Sequence, residues 1–287
     1  MSEGQEFERG GERMKFTHLG RGEEAKMLEE VNILRIAEGE ASARKDVVVK
    51  EFPLTIVLND QEIVTLLCSP ADLKYLAVGF LHSEGLIREK KDIKRIDLDE
   101  QRGVAQVWTR GGKEAVSQVL PLRIKAAGGG RTAFLQSSEA PARIESELKI
   151  SPQEVFNLAS EFQHRSEIYR ATGGTHAAAL CNHQDILAFA EDIGRHNAVD
   201  KVFGQCLLEG LLTQDRVFIT SGRISSEILL KVAKRRVPIL ISISAPTDMA
   251  VRLASEVNLT LIGFARGRRM NVYAGEKRIT LFQPSGG

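Results

Sequence analysis

A short stretch in the second half of the chain combines side chains that can bind anions, exchange protons and donate hydrogen bonds. It reads EDIGRHNAVDK and covers residues 191–201 of the 287-residue sequence. The residues of interest are Asp192, Gly194, Arg195, His196 and Asn197. For each one alone, a salt bridge or a cap at a helix start is the simpler explanation. For all of them together, the density of polar groups favours a ligand-binding site.

The neighbouring residues place this stretch where a strand ends and a helix begins. The apolar run from Ile186 to Ala190 is typical of a buried strand, and apolar residues from Val199 to Leu208 recur at helical spacing. In open α/β sheets, ligands bind at the carboxyl ends of strands, where helix N-termini offer free backbone N–H groups. The sequence therefore predicts a binding site at this edge.

Two further predicted strands end in residues suited to phosphate. Gly222 lets a ligand approach the backbone, and Arg223 supplies a planar guanidinium fork. The run FARGRR, at 264–269, places three guanidinium groups within four residues. A solvated basic turn is the usual explanation of such a run, but its position after a buried strand favours a phosphate or pyrophosphate clamp. The predicted cofactor-binding residues are Gly222, Arg223, Phe264, Ala265, Arg266, Gly267, Arg268 and Arg269.

The surrounding pattern predicts an α/β protein, α+β overall, in two domains. Residues 1–30 show little periodicity and are predicted to be a disordered tail. Residues 31–142 form a smaller β-rich domain, with a hairpin at Asn59-Asp60 and a helix that starts at an N-cap serine, Ser69, and stops by Gly85. Residues 143–287 begin with a capping box at Ser151 and then alternate strands with helices, which indicates a mostly parallel sheet.

Composition limits the function classes. Lys+Arg 39 against Asp+Glu 38 leaves a net charge of +1, so no global field attracts nucleic acid or a membrane. No apolar run reaches the roughly 18 residues of a transmembrane helix, and the first residues lack the apolar core of a signal peptide. We therefore expect a cytoplasmic protein that binds neither nucleic acid nor membrane.

The cysteines Cys68, Cys181 and Cys206 fit neither a disulfide framework nor a zinc pattern, so we expect reduced thiols and no metal. Cys181 and Cys206 fall on predicted buried faces. Cys68 precedes a predicted helix N-terminus, which can lower the pKa of a thiol. It is the only one of the three that we expect to react, although a buried strand residue is the simpler interpretation.

Six motifs make the chain resemble the FdhD family of formate dehydrogenase accessory proteins. They are GFLHSEGLI, TGGTHAAAL, EDIGRHNAVDKV, TSGRISSEILLKVAKRRVP, SISAPTDMAV and GFARGRRMNVYAG. They stand in the family's order within residues 46–275. The resemblance implies a cytidine-deaminase-like, three-layer α/β/α second domain. It also implies a sulfurtransferase that takes persulfide sulfur from a cysteine desulfurase and passes it to a molybdenum cofactor carrying molybdopterin guanine dinucleotide, contacted by residues 264–269.

One departure from the family bears on this activity. Members usually carry one or two cysteines in a loop before the domain boundary, and here the loop reads KAAGGGRTAF. Ala127 is the position at which the resemblance places the persulfide cysteine. A methyl group can neither attack a sulfur atom nor carry one, so the usual relay is missing.

Two functions therefore stay open. One is a sulfur carrier that serves formate dehydrogenase, and the other is a chaperone that binds the guanine-dinucleotide cofactor without sulfur transfer. A zinc nucleoside deaminase is set aside, because His176 is followed by Ala177 and Ala178 rather than the HxE motif, and paired cysteines are lacking. A homodimer is left open as a further alternative.

Overall fold

A computed structural model describes residues 6–9, 12–15, 26–111 and 141–281. Among these residues the chain forms a four-stranded sheet, a six-stranded sheet and two separate two-stranded ribbons. The first half contains β1 (Glu6–Arg9), β2 (Glu12–Lys15), β3 (Leu28–Ala37), β4 (Glu40–Val49), β5 (Phe52–Leu58), β6 (Gln61–Cys68), α1 (Leu73–Ser83), β7 (Ile93–Asp99) and β8 (Val104–Thr109).

The predicted hairpin is confirmed as β5 and β6. Asn59 and Asp60 connect the strands with φ angles of 49° and 66°, the left-handed conformations that a two-residue hairpin turn requires. The sheet order is β6-β5-β8-β7, and α1 covers one face of it. The first domain thus has its own apolar core.

The segment before this domain carries two ribbons. The β1–β2 ribbon lies inside the predicted tail, and β3 of the second ribbon begins at Leu28, before the predicted domain start at residue 31. The base of the second ribbon is anchored, because Leu28 and Val47 pack with Ile168 of the other half of the chain.

The second half contains the larger sheet and its helices. They are α2 (Pro152–Arg165), α3 (Glu167–Thr172), β9 (His176–Cys181), β10 (Ile186–Asp192), α4 (Arg195–Glu209), β11 (Val217–Thr220), α5 (Ser226–Lys234), β12 (Ile239–Ser242), α6 (Asp248–Glu256), β13 (Thr260–Arg266) and β14 (Arg269–Ala274). The capping box is confirmed at the start of α2, where the Ser151 side chain accepts from the Glu154 backbone N–H and the Glu154 carboxylate accepts from the Ser151 backbone N–H.

The larger sheet has the order β10-β9-β11-β12-β13-β14. The pairings of β11 with β12 and of β12 with β13 are parallel. The other three pairings are antiparallel. The prediction of a mostly parallel sheet was therefore wrong at its two ends. There β9–β10 and β13–β14 are joined by short turns, and a short turn can only reverse the chain.

Helices cover both faces of this sheet, so the three-layer α/β/α arrangement and the α/β fold class are confirmed. Helix α2 packs on one face, around Phe162 and Ile241, and α4, α5 and α6 pack on the other, around Phe203 and Phe218. Among the described residues, we find no helix both long and apolar enough to span a membrane.

Helices α1 and α4 join the two halves through backbone contact. A Cβ atom at Gly79 would lie 1.7 Å from the Asp200 carbonyl oxygen, and one at Gly204 would lie 1.9 Å from the Tyr75 carbonyl oxygen. No side chain larger than hydrogen fits at either position. The helices therefore approach more closely than the 8–10 Å that separates most packed helices.

We predict that Gly204→Ala destabilises the protein by at least about 2 kcal/mol, because the helices must separate to admit a methyl group. An alanine would otherwise favour the helix by about 1 kcal/mol, so overpacking must exceed this gain. Urea unfolding measures the change. Gln205→Ala, one residue further along α4, should change stability by less than about 0.5 kcal/mol. Equal stability of Gly204→Ala and the parent would contradict the backbone contact.

Candidate functional site

The stretch 191–201 lies at the predicted strand-to-helix junction, but its acidic and amide groups face the protein interior. Asp192 and Lys201 are fully buried, with 2.7 Å between the Lys201 Nζ and an Asp192 carboxylate oxygen. The ammonium also donates to the backbone carbonyls of Ser69 at 3.3 Å and Glu191 at 3.2 Å. This ion pair is fully satisfied by the protein.

Both oxygens of Asp192 accept further hydrogen bonds. The backbone N–H groups of Ser69 and Gly194 donate at 3.0 and 2.8 Å, and the Asn197 side-chain amide donates at 2.9 Å. The same amide nitrogen donates to the Leu67 carbonyl at 2.8 Å. The interpretation that all five predicted residues serve a ligand was therefore wrong for Asp192 and Asn197, which join the two halves of the chain.

Ser69 was expected to cap α1, and this expectation was also wrong. The helix begins at Leu73, after Asp72 in a left-handed conformation with φ of 55° and without a side-chain cap. Ser69 is fully buried and its hydroxyl accepts from the backbone N–H of Ile193 at 3.1 Å. The serine therefore binds the β10–α4 junction. Because the two segments are far apart in sequence, the local pattern around Ser69 does not predict this contact.

A second buried pair links the same two halves. The Lys231 Nζ donates to Asp200 at 2.5 Å, and the Ser83 hydroxyl donates to the other oxygen of Asp200 at 2.6 Å. The remaining acid of the stretch, Glu191, accepts from the backbone N–H groups of Ile168 and Tyr169 at 3.0 and 2.8 Å, close to the N-terminus of α3. A carboxylate is favoured there by the helix dipole.

The rest of the stretch, Arg195 and His196, lies at the carboxyl edge of the sheet. The His196 Nε2 atom is 3.4 Å from a Glu227 carboxylate oxygen. Burial, followed by the charges of Lys231 and Arg195, lowers the pKa of His196 to about 3. The imidazole is therefore neutral near pH 7 and can donate its ring N–H to Glu227.

The strand ends that were predicted to line this edge do so. Adjacent β11 and β12 are parallel with Thr220 opposite Ser242, and β13 follows as the next parallel strand. The loops after β11 and β12 are tied together, since the Ser242 hydroxyl donates to the Gly222 carbonyl at 2.8 Å and the Ile224 N–H donates to the Ala245 carbonyl at 3.0 Å. This edge is a preformed surface.

The run FARGRR forms the tip of the β13–β14 hairpin. Arg266 ends β13, Gly267 turns with φ of 62°, and Arg269 begins β14. All three arginines are exposed, and no carboxylate among the described residues forms an ion pair with them. Arg266 donates to the Ile243 carbonyl at 3.2 Å, which holds its guanidinium near the β12 end.

A bulge precedes this tip. Phe264 has a φ of 53°, and its N–H donates to the Ser244 carbonyl at 3.0 Å. A left-handed bulky residue stores strain of about 1–3 kcal/mol, and such strain is concentrated at functional sites. Gly263 is required beside it, because a Cβ there would lie 2.9 Å from the Tyr273 ring and 3.0 Å from Pro246.

The structure thus brings most of the predicted cofactor-binding residues to one edge. Arg223 follows β11, and the arginines of residues 266–269 extend from β13, with β12 between the two strands. Two strand spacings amount to roughly 10 Å. Ala265 is fully buried and lines the core instead, and Gly222 is packed against the Arg195 side chain. The predicted persulfide position, Ala127, lies outside the described residues.

The thiols are less available than the sequence suggested. Cys68, Cys181 and Cys206 are all buried, and burial raises the pKa of each to about 12. For Cys68 the nearby charge of Asp192 adds to the effect. The Cys68 thiol donates to the Phe52 carbonyl at 3.4 Å. The simpler interpretation, a buried strand residue, is confirmed for Cys68, and the alternative of a reactive thiol is wrong, since Cys68 ends β6 and helix α1 starts only at Leu73.

His176 and Ser221 were not among the predicted binding residues, although both lie at this edge. Because β9 runs antiparallel to β11, its first residue, His176, lies at the edge where β11 ends. The Ser221 hydroxyl is 3.4 Å from the His176 Nδ1 atom and accepts from the Ala177 N–H at 2.9 Å. The motif TGGTHAAAL indicates that the histidine stands at the start of a strand. Whether it lies at the binding edge depends on the direction of that strand in the sheet.

Comparison with known proteins is consistent with this architecture. The FdhD/NarQ family profile matches residues 49–280. The sulfur carrier protein FdhD of Bacillus subtilis (strain 168) is 43% identical over 254 residues, which cover 86% of this chain and 96% of that protein. The protein of the same name from Listeria innocua serovar 6a is 43% identical over 238 residues, covering 81% and 91%.

A solved structure shares the fold. The crystal structure of a "putative formate dehydrogenase accessory protein" from Desulfotalea psychrophila superposes with a TM-score of 0.72 at 27% identity. The match covers 88% of this chain and all of that one.

We predict that none of the three thiols reacts with a thiol-specific reagent in the native protein, because each is buried and protonated at neutral pH. After addition of denaturant all three thiols should react, which checks that the reagent is active and that three thiols are present. Rapid labelling of Cys68 under native conditions would contradict its placement at the closed end of β6.

Proposed function

The chain belongs to the FdhD/NarQ family, and from this premise we propose that it is a formate dehydrogenase accessory protein that binds the guanine-dinucleotide molybdenum cofactor. The binding edge consists of the loop at Gly222-Arg223 and the hairpin at residues 264–269. One observation carries the proposal. Arg223, Arg266, Arg268 and Arg269 project at one edge of a nearly neutral protein, without carboxylate partners among the described residues.

This edge suits a dinucleotide for physical reasons. Guanidinium groups recognise phosphate oxygens through paired N–H donors. Exposed arginines without acids lose no existing ion pair when an anion binds. Phe264 is held by its backbone N–H at the Ser244 carbonyl and is only half-buried, so its ring offers a surface on which a purine base can stack. The cofactor would thus lie with its phosphates on the arginines and its base beside β13.

The cofactor would be cargo that the protein delivers to formate dehydrogenase. Two strand ends separated by β12 can contact two phosphates of one elongated molecule. The hydrogen bonds of Phe264 to the Ser244 carbonyl and of Arg266 to the Ile243 carbonyl hold the start of the hairpin in one conformation, which lowers the entropy lost on binding. A preformed edge of this kind supports binding and release without a chemical step.

We predict that guanosine diphosphate, a fragment of this cofactor, binds the parent protein and binds Arg266→Ala about tenfold or more weakly. A hydrogen bond to a charged group contributes about 1.5–3 kcal/mol. Calorimetry at fixed salt measures both affinities. Arg252→Ala, an exposed arginine of α6 paired with Asp248, is the matched control and should bind like the parent. Absence of binding by the parent at millimolar ligand would contradict the proposal.

Sulfur transfer from a cysteine desulfurase is a second candidate function, favoured by the name of the relatives at 43% identity. It requires an accessible thiol. The chain has three cysteines, all buried, and alanine at residue 127. The thiols therefore favour cofactor binding without a covalent sulfur intermediate on this chain.

We predict no gain of sulfur mass after incubation with a cysteine desulfurase and cysteine. Intact-protein mass spectrometry without reductant makes the measurement. Ala127→Cys is the informative variant, because it restores a thiol at the position that the family resemblance assigns to the persulfide. A gain of one sulfur atom by the parent would contradict this prediction and support sulfur transfer, and mass spectrometry of its peptides would then identify the thiol.

A further inference from the structure

Arg195 is held in place by packing rather than by an acid. Its side chain lies on Gly222, where a Cβ atom would approach the Arg195 Cβ at 3.0 Å and its Cδ at 3.2 Å. The Nε atom of Arg195 is buried and has no hydrogen-bond partner among the described residues. The Nε atom is closed to solvent, but the terminal nitrogens of this guanidinium are not among the enclosed atoms, so an anion from outside the chain can bind to them.

Further groups lie next to this guanidinium. The Ser221 hydroxyl is 3.4 Å from the His176 Nδ1 atom, and Ser221 directly precedes Gly222, on which Arg195 packs, and Arg223. In agreement with this geometry, burial and then the charges of Arg195 and Arg223 lower the pKa of His176. Two arginines, a histidine and a hydroxyl thus share one part of the sheet edge.

Two of the three acids near this cluster are engaged in ion pairs, Asp192 with Lys201 and Asp200 with Lys231. The third, Glu227, keeps its charge beside the neutral His196 and offsets only one of the two arginines. Among the described residues no carboxylate lies within ion-pair distance of Arg195 or Arg223. The cluster therefore carries uncompensated positive charge in a partly buried place, where it attracts an anion more strongly than at the open surface.

We propose that Arg195, Arg223, His176 and Ser221 form a binding site for a tetrahedral oxyanion, namely a phosphate group. Arg195 would donate from the terminal nitrogens of its guanidinium, Arg223 would close the site from the exposed side, and His176 and Ser221 would supply neutral donors. The site is separate from the hairpin at 266–269, with β12 between them.

The source of the phosphate can be free phosphate or pyrophosphate, or a phosphate of the cofactor. In the second case the inference rests on the proposed function, and the site would hold the phosphate furthest from the base. The chemistry of recognition is the same in both cases, so the experiment needs one probe of each kind.

The first experiment titrates inorganic pyrophosphate into the parent, Arg195→Gln and Arg223→Gln by calorimetry. We expect binding by the parent and a weakening of about tenfold or more in each variant. Arg223 is exposed, so its variant tests the site even if Arg195→Gln fails to fold. Arg170→Gln, an exposed arginine of α3, is the control and should bind like the parent. The proposal would be overturned if the parent did not bind pyrophosphate. It would also be overturned if Arg223→Gln bound pyrophosphate like the parent and Arg195→Gln, where it folds, did the same.

A second arm repeats the titrations with guanosine diphosphate and adds Arg266→Ala. Weakening of the nucleotide by both Arg195→Gln and Arg266→Ala supports the site and assigns its phosphate to the cofactor. Weakening of pyrophosphate alone by Arg195→Gln supports the site and assigns it to free phosphate. If the parent binds pyrophosphate but no nucleotide, the site stands while the proposed function fails.

Discussion

The architecture depends on burying the charge of Lys201. A buried ammonium is tolerated only when an opposite charge and enough acceptors surround it, and removal of one partner of such a pair typically costs about 3–5 kcal/mol. Asp192 supplies the charge, and the carbonyls of Ser69 and Glu191 supply the acceptors. Asp192 and Glu191 belong to the same half of the chain as Lys201, but Ser69 belongs to the other, so the ammonium gains its third acceptor only when the halves are assembled. The glycine contact between α1 and α4 brings them close enough.

Much of the fold follows from local pattern. The hairpin at Asn59-Asp60, the capping box at Ser151 and the helix that ends before Gly85 are each specified by a few neighbouring residues, and all three are present. The parallel order of β11, β12 and β13 follows from the helices that connect them. Strand direction at the sheet ends could have been predicted as well, because the links from β9 to β10 and from β13 to β14 are too short for a parallel crossover.

The position of the candidate site at the sheet edge could be predicted from the sequence, but not which residues belong to it. Glycine and arginine after successive strands indicate an anion site wherever parallel strands end together, and this prediction needed only strand order. Strand order alone does not show which side chains of EDIGRHN face the protein interior and which lie at the sheet edge. Whether Asp192 faces Lys201 or a ligand depends on Ser69, more than a hundred residues earlier. The role of His176 depends likewise on the antiparallel entry of β9.

The shared helix α4 has a consequence for how the molecule can be divided. Its first residue, Arg195, belongs to the sheet edge, and its later residues Lys201 and Gly204 belong to the joint with α1. A fragment cut at the predicted boundary near residue 142 would expose an ammonium without its Ser69 acceptor and a helix face without its partner. We therefore expect the two halves to fold cooperatively. An insertion or exchange of a whole half would have to preserve both faces of the joint, so the two halves should be inherited together.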